Sequence, residues 1–308
     1  MSFFLTQLYL VLMKIELIIK KIASVLMLLF VVHPMSFATI ANKIKESTPR
    51  KLIAITIDDL PFVGDYRNFH LNMILETMTK QRVTATGFII ASEVRKDNWE
   101  MLRKFRDAGF SLGNHTLTHA NLSKLGPKGY MHEIQGADAI LAPVLTEPKY
   151  FRYPYLAMSS GQKKEDIICF LAKKNYHIAP ITIDSKDFAF NHRLFAVSEM
   201  DRRAYLDELK PFYLDYIWQQ TLQAEEHNKY HHNTQQAQIL LIHANLLNAY
   251  VLEDIINLYK QNGYTFVSLE KALSTFKYPI RCSKPQLHPK PEPRPENDED
   301  IKAFVDWD

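Results

Sequence analysis

Short apolar runs alternate with amphipathic stretches along most of this chain. Leu52 to Ile57 is an unbroken apolar run and predicts a buried strand. His70 to Gln81 has helical spacing, Thr84 to Ile90 predicts a second strand, and Trp99 to Ala108 a second helix. Phe110 to Gly113 reads as a short strand and Tyr130 to Leu141 as a helix, while Tyr150 and Phe151 lead into a loop. Lys163 to Lys174 is helical, and His177 to Ile183 extended. Ile239 to His243 predicts a strand, Leu252 to Asn262 a helix, and Thr265 to Val267 the last strand. Strands that alternate with helices imply a parallel sheet, open or closed into a barrel.

Two stretches break this rhythm. Residues 189–237 form a charged, aromatic-rich insertion, with helical spacing from Asp201 to His227. It is either a helical cap on the barrel or a wall of a cleft. Residues 277–308 carry six prolines from Pro279 to Pro295 among many charges, a composition that favours an extended or disordered tail.

The N-terminus has its own pattern. Lys14, Lys20 and Lys21 precede an apolar run from Ile22 to Val32, and Ser36-Phe37-Ala38 follows. A basic region, a short apolar core and a small-x-small exit predict a secretory signal over residues 1–38, with Met13 an alternative start. The rival is an uncleaved anchor made of the first 33 residues, but Glu16, Lys20 and Lys21 interrupt that longer run. The expectation is export to a periplasm or the medium, with no stable membrane insertion after cleavage. A linker over 39–50 then leads to one domain over 51–276.

At 308 residues the chain is long enough for a substantial core. Its net charge of +3, without a basic stripe or a recognised motif, gives no support for nucleic acid as a partner. Cys169 and Cys282 are the only cysteines and sit in no CxxC or CxxH pattern, so a cysteine-based zinc site is not expected. Spacing alone does not pair them.

Five short segments at predicted strand ends carry candidate chemistry, and in an α/β barrel catalytic groups collect there. Thr56-Ile57-Asp58-Asp59 ends the first strand. Alternation along a strand points its two carboxylates to opposite faces, so one could bind a metal while the other serves as a base. Alone, the pair reads first as a helix cap or a turn before Pro61. His115 and His119 lie four apart, on one helical face or one side of a tight turn, where both imidazoles could reach one cation. With Asp59 they make three ligands, the number a catalytic zinc site uses. In Arg152-Tyr153-Pro154-Tyr155 the arginine can hold a carboxylate, or be an ordinary surface group. Asp184 to Phe188 and Leu241-Ile242-His243 complete the set. His243 could be a satisfied core histidine or a proton donor, and Asp187 nearby would raise its pKa.

Together and in this order, the segments resemble the NodB-homology polysaccharide deacetylases, the carbohydrate esterase family that includes chitooligosaccharide, chitin and peptidoglycan N-deacetylases. That family carries TFDD, H(S/T)xxH, RxPY, DxxDW and LxH motifs. Here they correspond to Thr56 to Asp59, His115 to His119, Arg152 to Tyr155, Asp184 to Phe188, and Leu241 to His243. Ala85-Thr86-Gly87-Phe88 stands where the family has an ATFF strand. The resemblance covers about residues 51–275. It implies an irregular (β/α) barrel with a helical insertion before the last strands. It implies Asp59, His115 and His119 as ligands of a divalent metal: zinc by default, with cobalt, manganese or nickel possible on the same ligands. Asp58 would be the general base and Arg152 would position it. The Tyr155 amide would face the oxyanion, and His243, tuned by Asp187, would protonate the departing amine. Leu241 would line the pocket for the acetyl methyl, beside Pro154 and Phe188. The implied partner is an N-acetylated glycan: peptidoglycan, a chitooligosaccharide or similar.

The chain departs from the family pattern at Ile57, at Phe188 in place of Trp, and at Leu60-Pro61 in place of Gly-Pro. The last change and the insertion are expected to reshape the cleft mouth. Three other readings compete. An O-acetyl esterase would use the same residues. A catalytically silent glycan-binding relative would be expected to lack the base, which is present here. A non-haem iron oxygenase would place its ligands as HxD/E on a different fold.

Overall fold

β1 (Lys51–Leu60) is buried on both faces from Ile53 to Asp58, which marks it as the centre of a sheet covered on both sides. The computed structural model describes residues 50–61, 67–96, 98–277 and 279–283. The expected signal segment, the linker as far as residue 49 and the tail beyond residue 283 lie outside the described residues.

Seven further strands join β1: β2 (Ala85–Ile89), β3 (Ser111–Asn114), β4 (Lys149–Phe151), β5 (Tyr176–Ile178), β6 (Ile183–Asp184), β7 (Gln238–His243) and β8 (Tyr264–Phe266). The order across the sheet is β5-β4-β3-β2-β1-β7-β6, and β8 pairs with the first residues of β1. Every pairing among the described residues is parallel. Parallel neighbours require crossovers, supplied by α1 (Arg67–Gln81), α2 (Trp99–Asp107), α3 (Pro127–Leu141), α4 (Gly161–Lys173), α5 (Asp187–Ala196), α6 (Arg202–Tyr230) and α7 (Leu246–Gln261). A short helix, α8 (Leu269–Leu273), follows β8. Among the described residues no helix is long and apolar enough to cross a membrane.

Alternation along β1 sorts its side chains. Ile53, Ile55 and Ile57 join the outer core with Leu71, Ile74, Ile255 and Ile256 from α1 and α7. Ala54 faces the interior with Phe88, Tyr150 and Ile239. The sheet curls until its two edges almost meet. Ala179 N–H still donates to Phe151 O beside β4, and three residues later Thr182 N–H donates to Ile239 O beside β7. The result is an irregular barrel, as expected.

Several expectations needed correction. Tyr150 and Phe151 are a strand, too short to show alternation. His177 to Ile183 is not one run but β5 and β6, on opposite edges. Cys169 and Cys282 form a disulfide, 113 residues apart in sequence. The start of the tail is therefore tethered to α4, and Ile280 and Cys282 pack against the core under it. Leu60 does not shape the cleft mouth. It is fully buried, with its Cδ1 lying 2.2 Å from where a Cβ on Gly87 would be. A glycine at 87 is what makes room for it.

Candidate active site

Residues at or just after the ends of β1, β3, β4, β6 and β7 face one cavity of about 710 Å³. The cavity is lined by Asp58 and Asp59 from β1, His115 and His119 after β3, Leu241 and His243 from β7, and Tyr155, Phe188, His192 and Phe195 among others. Asp58 and His243 sit side by side in the β1–β7 register.

Alternation should have turned Asp59 away from Asp58. It does not, because the β1–β2 register shifts between Ile57 and Leu60 and Asp59 adopts a left-handed φ of 58°. An irregularity of this kind re-aims a side chain at the end of a strand. Thr116, His119, Tyr155 and Leu156 also have φ between 55° and 68°. Left-handed backbone is unfavourable for such residues, so a cluster of it around one cavity marks a functional site.

The HxxxH segment is a tight turn, not a helix. Asn114 Oδ1 accepts from Thr116 N at 2.8 Å, and Glu133 accepts from Thr118 N and Oγ1 at 2.8 and 3.0 Å. His115 Nδ1 faces the Arg152 carbonyl at 2.9 Å, a contact that requires the proton on Nδ1 and leaves Nε2 with its lone pair. Nε2 of His115 and of His119 lie 3.3 and 3.2 Å from Asp59 Oδ1. That oxygen is buried and has no hydrogen-bond partner. Burial alone would raise the Asp59 pKa; the two imidazoles, His115 ahead of His119, outweigh it and hold the carboxyl well below its usual range. Asp59, His115 and His119 thus bring three ligand atoms within 4.8 Å of one another. Such a donor set suits a divalent cation, and Asp59, His115 and His119 could hold one.

Arg152 lies beneath the cavity, fully buried. Burial lowers its pKa, and Asp58 works in the opposite direction. Its guanidinium donates to Asp58 Oδ1 at 2.8 Å, Thr56 Oγ1 at 2.7 Å, Ala179 O at 3.1 Å and Pro180 O at 3.2 Å. It also stacks over Phe88, 4.5 Å from the ring centre. A charge so buried is tolerable only with such complete pairing. Asp58 is 3% exposed and keeps Oδ2 toward His115, 3.8 Å from Nε2.

Across the cavity, His243 Nδ1 donates to Asp187 Oδ1 at 2.7 Å, and its Nε2 lies 3.7 Å from Asp59 Oδ2. Burial opposes the imidazolium, but Asp187 first, then Asp59 and Asp58, push the His243 pKa up to about 10. Asp187 itself is fully buried and does not line the cavity. Its other oxygen accepts from His243 N, Asn245 Nδ2 and Asn248 Nδ2. The sequence reading missed Asn245, Asn248 and Glu133. The first two follow His243 by two and five residues, and only that proximity could have flagged them.

The remaining expected residues divide. Leu241 and Phe188 line the cavity, Phe188 being 57% exposed at its mouth. Pro154 is buried, and the next two residues, Tyr155 and Leu156, line the cavity in its place. The insertion is both wall and cap: α5 lines the cavity, while α6 packs on the outside against α5 and α7.

Residues 45–166 match the family model described as polysaccharide deacetylase. A chitin deacetylase of Arthroderma benhamiae is 33% identical over 156 residues, covering 49% of this chain and 38% of that protein. A peptidoglycan-N-acetylglucosamine deacetylase of Bacillus cereus is 26% identical over 137 residues, covering 44% of this chain and 46% of that protein. The chain thus spans less than half the length of either relative. Among solved structures, a CE4 family pseudoenzyme from Bacillus anthracis aligns with a TM-score of 0.53 at 18% identity, over 73% of this chain and 66% of that one. At that identity the likeness speaks for the fold alone. Over residues 45–166 the sequence is thus similar to the polysaccharide deacetylases, and the fold is the one that their solved structures share.

Proposed function

We propose that this protein is an exported, metal-dependent hydrolase that removes acetyl groups from N-acetylated sugars of an envelope or extracellular glycan. One observation carries the reading: the convergent Asp59, His115 and His119 donors share a cavity with a carboxylate held by Arg152 on one side and an imidazole held by Asp187 on the other. A fold shared with a pseudoenzyme does not decide activity; the residues do.

Asp59, His115 and His119 would hold the metal, and two imidazoles with one carboxylate suit zinc, cobalt, manganese or nickel. A divalent ion there polarises a carbonyl and makes water a stronger acid. Arg152 fixes one oxygen of Asp58, so the other is left to take a proton from the attacking water. The new C–O bond forms at the acetyl carbon, and the backbone N–H of Tyr155 faces the developing oxyanion. His243, kept protonated by Asp187, gives its proton to the sugar nitrogen as the C–N bond breaks. Acetate and a free amine result. Leu241 lines the floor beside the methyl group, and Phe188 and Tyr155 offer exposed rings to a sugar face.

The Cys169–Cys282 disulfide supports export, because such bonds persist in oxidising compartments. It agrees with the signal read over residues 1–38. O-acetyl removal from the same glycans would use the same groups.

The test is acetate release from N-acetylglucosamine oligomers and from peptidoglycan by the purified protein, with chelator, with added zinc, and beside Asp58→Asn. Metal-dependent release lost in the variant is the expected result. No release at full metal occupancy, on N- or O-acetylated glycans, would leave a binding protein instead.

A further inference from the structure

We propose that Asn248, oriented by Tyr213, is a positioning residue that locks Asp187 and through it His243, so that the long helix α6 takes part in the chemistry. This rests on the reading of His243 as the proton donor.

Asp187, Tyr213 and Asn248 are all fully buried and come from three helices, α5, α6 and α7. A buried carboxylate needs hydrogen bonds to every lone pair it can offer. Asp187 spends Oδ1 on the His243 ring, so its orientation depends on what holds Oδ2. Asn248 is the donor there with a fixed direction. Its Nδ2 donates both to Asp187 Oδ2 and to the His243 carbonyl, the latter at 3.0 Å. Its Oδ1 accepts from Tyr213 OH at 2.8 Å. A flipped amide would set its oxygen against two acceptors and its NH₂ group against the tyrosine proton. Burial raises the Tyr213 pKa far above its ordinary value, so the hydroxyl stays a donor. The backbone adds a second constraint, since Asn248 N–H donates to Asn245 Oδ1 at 2.9 Å, and Asn245 Nδ2 returns to Asp187 Oδ2 at 3.0 Å. The chain of contacts therefore runs Tyr213, Asn248, Asp187, His243, and ends at the cavity.

A purely structural network would lose stability when cut and leave kcat alone. A positioning network behaves differently. Asn248→Ala should lower kcat about 10–100-fold, the usual cost of removing an outer partner of a working group, with KM and metal content unchanged. Tyr213→Phe should lower kcat less, and should add nothing in the Asn248→Ala background, because its effect passes through the amide. Independent losses in the double variant would overturn the proposal, as would unchanged kcat in a folded Asn248→Ala.

A spectroscopic arm does not need turnover. The His243 Nδ1–H, hydrogen-bonded to Asp187, should give a low-field proton resonance in the full-length protein, identified by its loss in His243→Gln. Asn248→Ala should shift or broaden that resonance, and an unchanged signal would sink the proposal. Should wild type release no acetate from any glycan, the functional reading fails while this arm still decides the positioning role.

Discussion

The two sides of the cavity solve opposite problems. On the side built by β1, β3 and β4, three electron-pair donors face one another and a buried Asp59 oxygen has no hydrogen bond. On the side built by α5, β7 and α7, both oxygens of Asp187 are occupied by N–H donors, and His243 is held at ring and backbone. Unsatisfied buried groups are costly, so the first side is poised for a ligand from outside. The second is complete within the chain. A cation site must stay open to its ion, whereas a proton donor must be held in one orientation. Arg152 organises the first side from beneath: its carbonyl faces His115, while its guanidinium holds Asp58.

The largest effects should come from cutting each side once. His119→Ala should lose both bound metal and turnover. His243→Asn should keep stoichiometric metal while kcat falls by about 10²–10⁴, the usual contribution of a general acid. Metal analysis beside kinetics separates the two sides. Loss of metal in His243→Asn would mean that the sides are not independent.

A smaller effect concerns pH. The folded His243 pKa, about 10, lies above the ordinary 6.5. A raised pKa means that the folded state binds the proton more tightly, so this contribution to stability is complete below pH 6.5. It is lost as pH rises toward 10. In metal-free protein, the difference in unfolding free energy between wild type and His243→Gln should shrink over that window. A difference constant across it would show that Asp187 does not hold the charge. A bound cation neutralises Asp59 and removes part of the upward push, so the alkaline limb of kcat should fall below that of the free protein's titration.

The two sides also differed in how far they could be read from sequence. The donors of the first side sit in short motifs, and β1, α1 and β2 follow from apolar spacing. What the spacing hid was the way Asp59 rejoins Asp58, because strand alternation sends the two apart and only the left-handed turn at Asp59 brings them back. The HxxxH pair was open between helix and turn, since Asn114 and Glu133, which close the turn, are ordinary polar residues in sequence. β4 was invisible at three residues, as its burial comes from neighbours on either side. On the second side, Asp187 and His243 lie 56 residues apart, and beyond the closeness of Asn248 to His243 in sequence nothing announces that Asn248 reaches Asp187 or that Tyr213 reaches Asn248. Such contacts are tertiary, and a periodicity search cannot see them.

The smallest expected effect on turnover comes from the region where the tail departed from expectation. α4 begins just after the β4 end that serves the site and runs toward the opposite end of the sheet, and Cys169 lies in its second half. Its bond to Cys282 closes a loop of 113 residues and pins the chain that follows α8. Neither cysteine lines the catalytic cavity. Cys169→Ser should therefore leave kcat and KM on soluble oligomers unchanged, yet lower stability by about 2–4 kcal/mol through the freed unfolded chain. Denaturant unfolding with and without reductant measures this: reductant should bring wild type down to the variant and leave the variant where it is. A matching loss of turnover would mean that the far end of the sheet controls the geometry of the site, and that binding, proton transfer and scaffold are not separate.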